Sequence, residues 1–421
     1  MNSKLKNELD TLLENKVISP KVASDINNYY DTLPKKTDRI FTIFGVLGAT
    51  LVGLGIVLIV AHNWDTFSKG IKTFFAFLPL VVGQLFAGFS ILKKKSNTWK
   101  ESSGIFLFFS IGACISLVAQ IYNIPGSLSN FLLTWILIST PLMYILRSKS
   151  LAVLHIGFAT YYALQHGYSL LSNTGTPWYY LLLFAIVLPF YFLILKEDKK
   201  SNLSTIFSWM LPLSLMISLG SFINKGEEFG YLLYMLLFGL FYNISQGSIF
   251  KNMKVSQNGY LFLGSLGTLV VSILLSFKFL WSGFKFESFQ HQEFYIGLGL
   301  FLANTVLIGS SLLKTGRKEF TLNSIAPFLF VLLFFVAQTN IVVARVVTNL
   351  FLLLWGVILI HSGVKKLHFG LSNYGLLIIT ILIICRFFDT DISFVLRGVL
   401  FLVVGVGFFA TNYVMHKKLK K

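Results

Sequence analysis

Apolar runs of about 20 residues recur along this chain almost from end to end, and no other feature limits its fold so strongly. A helix of that length crosses a hydrocarbon core of about 30 Å, where lipid offers no partner to an exposed backbone amide. The runs cover residues 40–61, 73–92, 104–122, 129–146, 151–171, 178–195, 203–223, 229–247, 259–279, 294–313, 322–337, 341–361, 371–388 and 394–415. They predict an all-α polytopic integral membrane protein with about fourteen transmembrane helices. The division at 322–361 rests on GlnThrAsn at 338–340, the only polar turn chemistry in that stretch.

Composition agrees, with 55% hydrophobic and only 12% charged residues. Lys and Arg accumulate in short cytoplasmic loops, so their distribution tests the span count. With the N-terminus inside, 27 of the 35 basic residues fall in cytoplasmic segments and five (Lys69, Lys72, Lys225, Lys278, Lys285) fall outside. Both termini are therefore expected on the cytoplasmic side of a bacterial inner membrane. The net charge of +18 reflects this topology. Its lysines are spread over many loops facing anionic lipid headgroups rather than gathered on one face, which excludes a nucleic-acid-binding surface.

Residues 1–37 form the one extramembrane piece, a cytoplasmic helical hairpin ahead of a transmembrane domain over 38–421. Leu5, Leu9, Leu12 and Leu13 recur at helical spacing, and Ser19 followed by Pro20 is an N-cap and first-turn pair. So short a hairpin needs something to pack on: the membrane domain, a second copy, or a protein partner. A charged segment precedes the first run in place of a basic leader, so that run is expected to stay as a span. Cys114 and Cys385 lie inside runs and match no metal or redox spacing.

Ionisable groups within spans usually mark transport or chemistry, because each is costly in lipid. Every Asp and Glu falls in a loop, in the hairpin or at a span end, so a relay through a buried carboxylate is not expected. The mid-span polar residues Gln84, Asn243, Asn304 and Asn349 are neutral, and interhelical hydrogen bonds are their default role. The seven histidines show no ligand spacing, and no catalytic residue, metal or cofactor is expected.

The external face holds what remains. The first run ends in HisAsnTrpAsp (62–65) and the third in AlaGlnIleTyrAsn (119–123); Trp64 and Tyr122 suit an aromatic belt, but Asn63, Asp65 and Gln120 do not. Arg345, Arg386 and Arg397 lie at outer span ends, with Asp389 and Asp391 in the loop between the last two spans. One reading is a hairpin clip, Arg386 with Asp389 and Arg397 with Asp391. The other is an anion site, since guanidinium forks bind phosphate and carboxylate.

ValIleSerPro (17–20), AlaHisAsnTrpAsp (61–65), AlaGlnIleTyr (119–122), ArgPhePheAsp (386–389) and ArgGly (397–398) resemble segments of the bacterial membrane proteins of domain-of-unknown-function family 2157. The resemblance implies a polytopic inner-membrane protein and a shared site at Asn63, Trp64, Gln120 and Tyr122; it carries over no activity. Three functions follow as expectations. The first is transport or flipping of an anionic or lipid-linked substrate held by Arg345, Arg386 and Arg397, with Asn63, Gln120 and Tyr122 as polar contacts. The second is a scaffold for envelope machinery docking through residues 1–37. The third is a membrane-embedded transferase using an outer-leaflet lipid donor, disfavoured by the lack of an acid–base pair.

Overall fold

The computed structural model of the 421-residue chain describes residues 3–32, 64–168, 175–223, 227–250, 253–283, 291–315, 321–389 and 394–419. All regular elements among them are helical. The chain divides into two compact units, residues 1–77 and 78–421. The expected domain boundary at residue 37 and the expected span 40–61 lie outside the described residues.

In the first unit, α1 (Ser3–Glu14) and α2 (Pro20–Thr32) pack on one another. Ser19 opens α2: its Oγ accepts from Val22 N at 3.4 Å and its carbonyl from Ala23 N at 3.0 Å. Leu9 and Ala23 are buried, whereas Leu12, Leu13, Val17 and Val22 are exposed. A short 3₁₀ turn, Trp64–Thr66, follows later in the chain, ahead of α3 (Lys69–Leu92).

The second unit continues with α4 (Asn97–Ile121), α5 (Leu128–Ile145), α6 (Lys149–Gly167), α7 (Trp178–Glu197) and α8 (Asn202–Leu219). Then come α9 (Glu227–Ser245), α10 (Gly259–Leu274), the short α11 (Lys278–Ser282), α12 (Gln292–Thr315) and α13 (Leu322–Ala337). The last are α14 (Ile341–Lys366), α15 (Phe369–Asp389) and α16 (Phe394–Leu419). Eight helices among the described residues are long and apolar enough to cross a membrane, and Phe229–Ser245, Gly259–Leu274 and Leu322–Ala337 are shorter apolar helices. The turn expected at 338–340 is present, with Asn340 Oδ1 capping α14 through Val342 N (3.1 Å) and Val343 N (3.2 Å). One expected run is interrupted: 259–279 breaks after Leu274, and Trp281 Nε1 donates back to Leu275 O.

α9 packs on α8, α10, α12 and α13. Association between apolar helices in lipid relies on close contact, and small residues supply it. A Cβ on Gly239 would lie 2.0 Å from Pro327 Cγ of α13, and one on Gly264 would lie 2.5 Å from Tyr242 N of α9. α14 and α15 meet in the same way, since a Cβ on Gly375 would fall 2.6 Å from Gly356 O.

Polar ties hold the first half of this unit together. Glu101, ahead of the apolar run that begins at residue 104, accepts from Ser148 Oγ, from Lys149 N at 2.8 Å and from Ser150 N at 3.0 Å. A carboxylate there satisfies open amides at the N-terminus of α6 and matches its dipole. Partial burial works to raise the Glu101 pKa, but the hydroxyl and two amides outweigh it and hold the carboxyl below the ordinary value. Farther along, Pro189 disrupts the ladder of α7, and Tyr144 OH and His155 Nε2 (3.0 Å) reach the nearby carbonyls of Ile186 and Leu183.

Two outcomes test this packing by thermal unfolding of purified protein in detergent. Gly375→Ala is expected to cost about 1–3 kcal/mol, whereas Gly88→Ala, whose added Cβ meets nothing within 4 Å, does not lower the midpoint. Glu101→Gln is expected to cost about 1 kcal/mol at neutral pH. Because the folded-state pKa is lowered, that contribution is present above the ordinary carboxylate range and lost as pH falls through the folded value. The gap between wild type and Glu101→Gln is therefore expected to close in acid.

Candidate functional site

The break after α10 is where the arginines of the sequence reading find their setting. Three residues leave the helix there, and their polar groups need partners from neighbouring helices. Arg386 of α15 donates from Nη2 to Ser276 Oγ at 3.0 Å, and its guanidinium lies 4.9 Å from the centroid of Phe277. Ser276 Oγ donates to Ile273 O at 2.6 Å, so its lone pairs remain for the arginine. From α14, Asn349 Nδ2 donates to Ser276 O at 3.2 Å and to Arg345 O at 2.7 Å. Ser276 thus joins α14 and α15 to the end of α10.

Arg345 is half-buried one helical turn before Asn349. Among the described residues no carboxylate pairs with it; the ion pair found there is Lys149–Glu197 at 3.4 Å. Asn349 Oδ1 is buried without a hydrogen-bond partner among those residues. The node combines two guanidinium-bearing residues, an aromatic face and an open acceptor.

Asn63 and Asp391 lie outside the described residues, as do the side chains of Asp389 and Arg397, so the two arginine–aspartate clips of the sequence reading fall there too. Gln120 and Tyr122 are exposed at the end of α4, which packs on α5 and α6. Trp64 and Asp65 share the 3₁₀ turn of the first unit, where Lys72 Nζ lies 5.8 Å from the Trp64 centroid. Of the mid-span amides, Asn243 Nδ2 donates to Asn304 Oδ1 at 2.9 Å, and Asn304 Nδ2 to Leu236 O at 3.0 Å. These bonds join α9 to α12, as expected of them. Gln84 is exposed on α3.

Sequence reasoning passed over a second polar node, at the opposite part of α10. Ser265, in its second turn, meets Tyr374 OH of α15 at 3.2 Å and Asn323 Nδ2 of α13 at 3.4 Å. Beside Asn323, Thr321 Oγ1 donates to Tyr242 OH of α9 at 3.0 Å and lies 3.3 Å from Ser324 Oγ. Ser265 and Ser276 are eleven positions apart, about 16 Å along a helix. Neutral residues scattered over four apolar runs give no local signal of such convergence.

Residues 10–152 match the family described as Predicted membrane protein (DUF2157). This DUF2157 segment contains both AlaHisAsnTrpAsp and AlaGlnIleTyr, the motifs that carry the resemblance in the N-terminal third. Both polar nodes lie beyond the DUF2157 match. No curated protein and no solved structure shows significant similarity to the chain.

A double-mutant cycle checks the first node. Ser276→Ala and Arg386→Leu are expected to couple by about 1–2 kcal/mol in thermal or denaturant unfolding. Additive effects would remove Ser276 as the partner of Arg386.

Proposed function

We propose that this chain is a fourteen-span bacterial inner-membrane protein with both termini cytoplasmic, which binds an amphipathic anion at the arginine node for transfer between leaflets. Thirteen of the apolar runs coincide with helices to within a few residues, apart from the break after Leu274, which supports the span count. The lysine distribution supports the orientation, and with it the placement of Arg345 and Arg386 toward the outer leaflet. The observation that carries the reading is the break after α10, where the Arg386 guanidinium reaches Ser276 and Phe277 and where Asn349, one turn after the half-buried Arg345, leaves its Oδ1 open among the described residues. A guanidinium suits a phosphate, and the open Oδ1 suits a headgroup that also carries a hydrogen-bond donor. The ligand class is a lipid phosphate with a hydroxylated headgroup.

A docking role for the N-terminal hairpin rests on its exposed Leu12, Leu13, Val17 and Val22. The two roles predict different effects of the same substitution. In native mass spectrometry of protein released from phosphatidylglycerol vesicles, the wild type is expected to retain lipid. Arg345→Gln is expected to retain at least about tenfold less, whereas Lys365→Gln with Lys366→Gln retains wild-type amounts. Equal retention by Arg345→Gln would contradict the binding role and leave docking as the better account.

A further inference from the structure

Ionisable groups inside spans mark ion and proton paths, because lipid makes them costly to keep. The sequence shows no such carboxylate, but the structure buries a histidine. His155 lies six residues past the start of α6 at Lys149, about 9 Å along the helix, and is 3% exposed. Ala152, Ile156 and Ala159 of the same helix are fully buried around it.

Both ring nitrogens have partners on neighbouring helices. Nε2 lies 3.0 Å from Leu183 O of α7, and a carbonyl only accepts, so this nitrogen carries a proton. Nδ1 lies 3.4 Å from Thr140 Oγ1 of α5. The Thr140 hydroxyl has two places to send its hydrogen: Ile136 O, one turn back at 2.8 Å, and Nδ1. With the ring neutral, Nδ1 offers a lone pair and the hydroxyl turns to it. When a proton joins Nδ1, the new N–H donates to Oγ1, whose own hydrogen goes to Ile136 O. Each nitrogen is then satisfied in both charge states, and the exchange needs only the rotation of one hydroxyl. A neutral tie between α6 and α7 needs only the Nε2 bond; Thr140 is what accommodates the cation.

The other ionisable groups stand back from the ring. α8 carries none. Nearest in register on α5 and α7 are the phenols of Tyr144 and Tyr180, bonded to Ile186 O and to Ser214 Oγ. From α4 comes Glu101, held at the start of α6 by Ser148 and Lys149 N, and the Lys149–Glu197 ion pair lies at the same end. No residue of α6 within one turn of His155 is charged.

We propose that His155 is a proton-binding site inside the membrane domain, which takes up and releases a proton at Nδ1 with Thr140 as its partner in both states. The site stands apart from the arginine node and does not depend on lipid binding there.

The test is nuclear magnetic resonance of the full-length protein in detergent, labelled with nitrogen-15 at its histidines and titrated from about pH 4 to 9. His155 is assigned by the signals lost in His155→Gln, or in His155→Asn where the first does not fold. Its ring is expected to pass from the neutral form protonated on Nε2 to the imidazolium within that range. Thr140→Val, or Thr140→Ala where valine prevents folding, is expected to lower the midpoint by about one pH unit, whereas Thr140→Ser keeps it. Arg345→Gln should leave the titration intact, which separates this site from the lipid site. A ring that holds one charge state throughout, or an unchanged midpoint without the Thr140 hydroxyl, would overturn the proposal and leave His155 as a neutral tie between helices.

Discussion

A bilayer core gives a polar group no solvent to bond, so every helix that ends or breaks inside it must find its partners within the protein. That constraint shapes the second unit. α10 and α13 have 16 residues each, about 24 Å against a core of about 30 Å. Both sit among longer helices, and side chains from α9, α14 and α15 gather at their short ends. Arg386 and Asn349 serve the end of α10; Tyr242 and Asn323 lie at the start of α13. Glycines set the closeness that lets these side chains reach, as at Gly239 against Pro327 and Gly264 against Tyr242.

Length and hydropathy made much of this legible in advance. The turn at 338–340, the Ser19–Pro20 start of α2 and the interhelical role of Asn243 and Asn304 each follow from local chemistry that the sequence displays. The break after Leu274 does not, because LeuSerPhe at 275–277 is as apolar as its surroundings and Ser276 is met there by Asn349 and Arg386, 73 and 110 positions away. The second node was hidden for the same reason. Ser265, Tyr374 and Asn323 are unremarkable singly, and their meeting depends on the packing of α10, α13 and α15. A search for carboxylates at mid-membrane depth overlooks sites made of hydroxyls and amides.

The two nodes differ in what they offer. The arginine node has full charge, an aromatic face and an open acceptor, which suits a headgroup of several atoms. The Asn323 node is a neutral network of hydroxyls and amides that ties α9, α10, α13 and α15 together. Their separation along α10, about 16 Å from Ser265 to Ser276, places them toward opposite surfaces in the proposed topology.

Side-specific labelling reads out which surface each node faces. With Cys114 and Cys385 replaced, a single cysteine at position 345 or 321 is treated with a membrane-impermeant maleimide in intact cells and in inverted vesicles. Position 345 is expected to react in intact cells and position 321 in inverted vesicles. Labelling of both from the same side would contradict it.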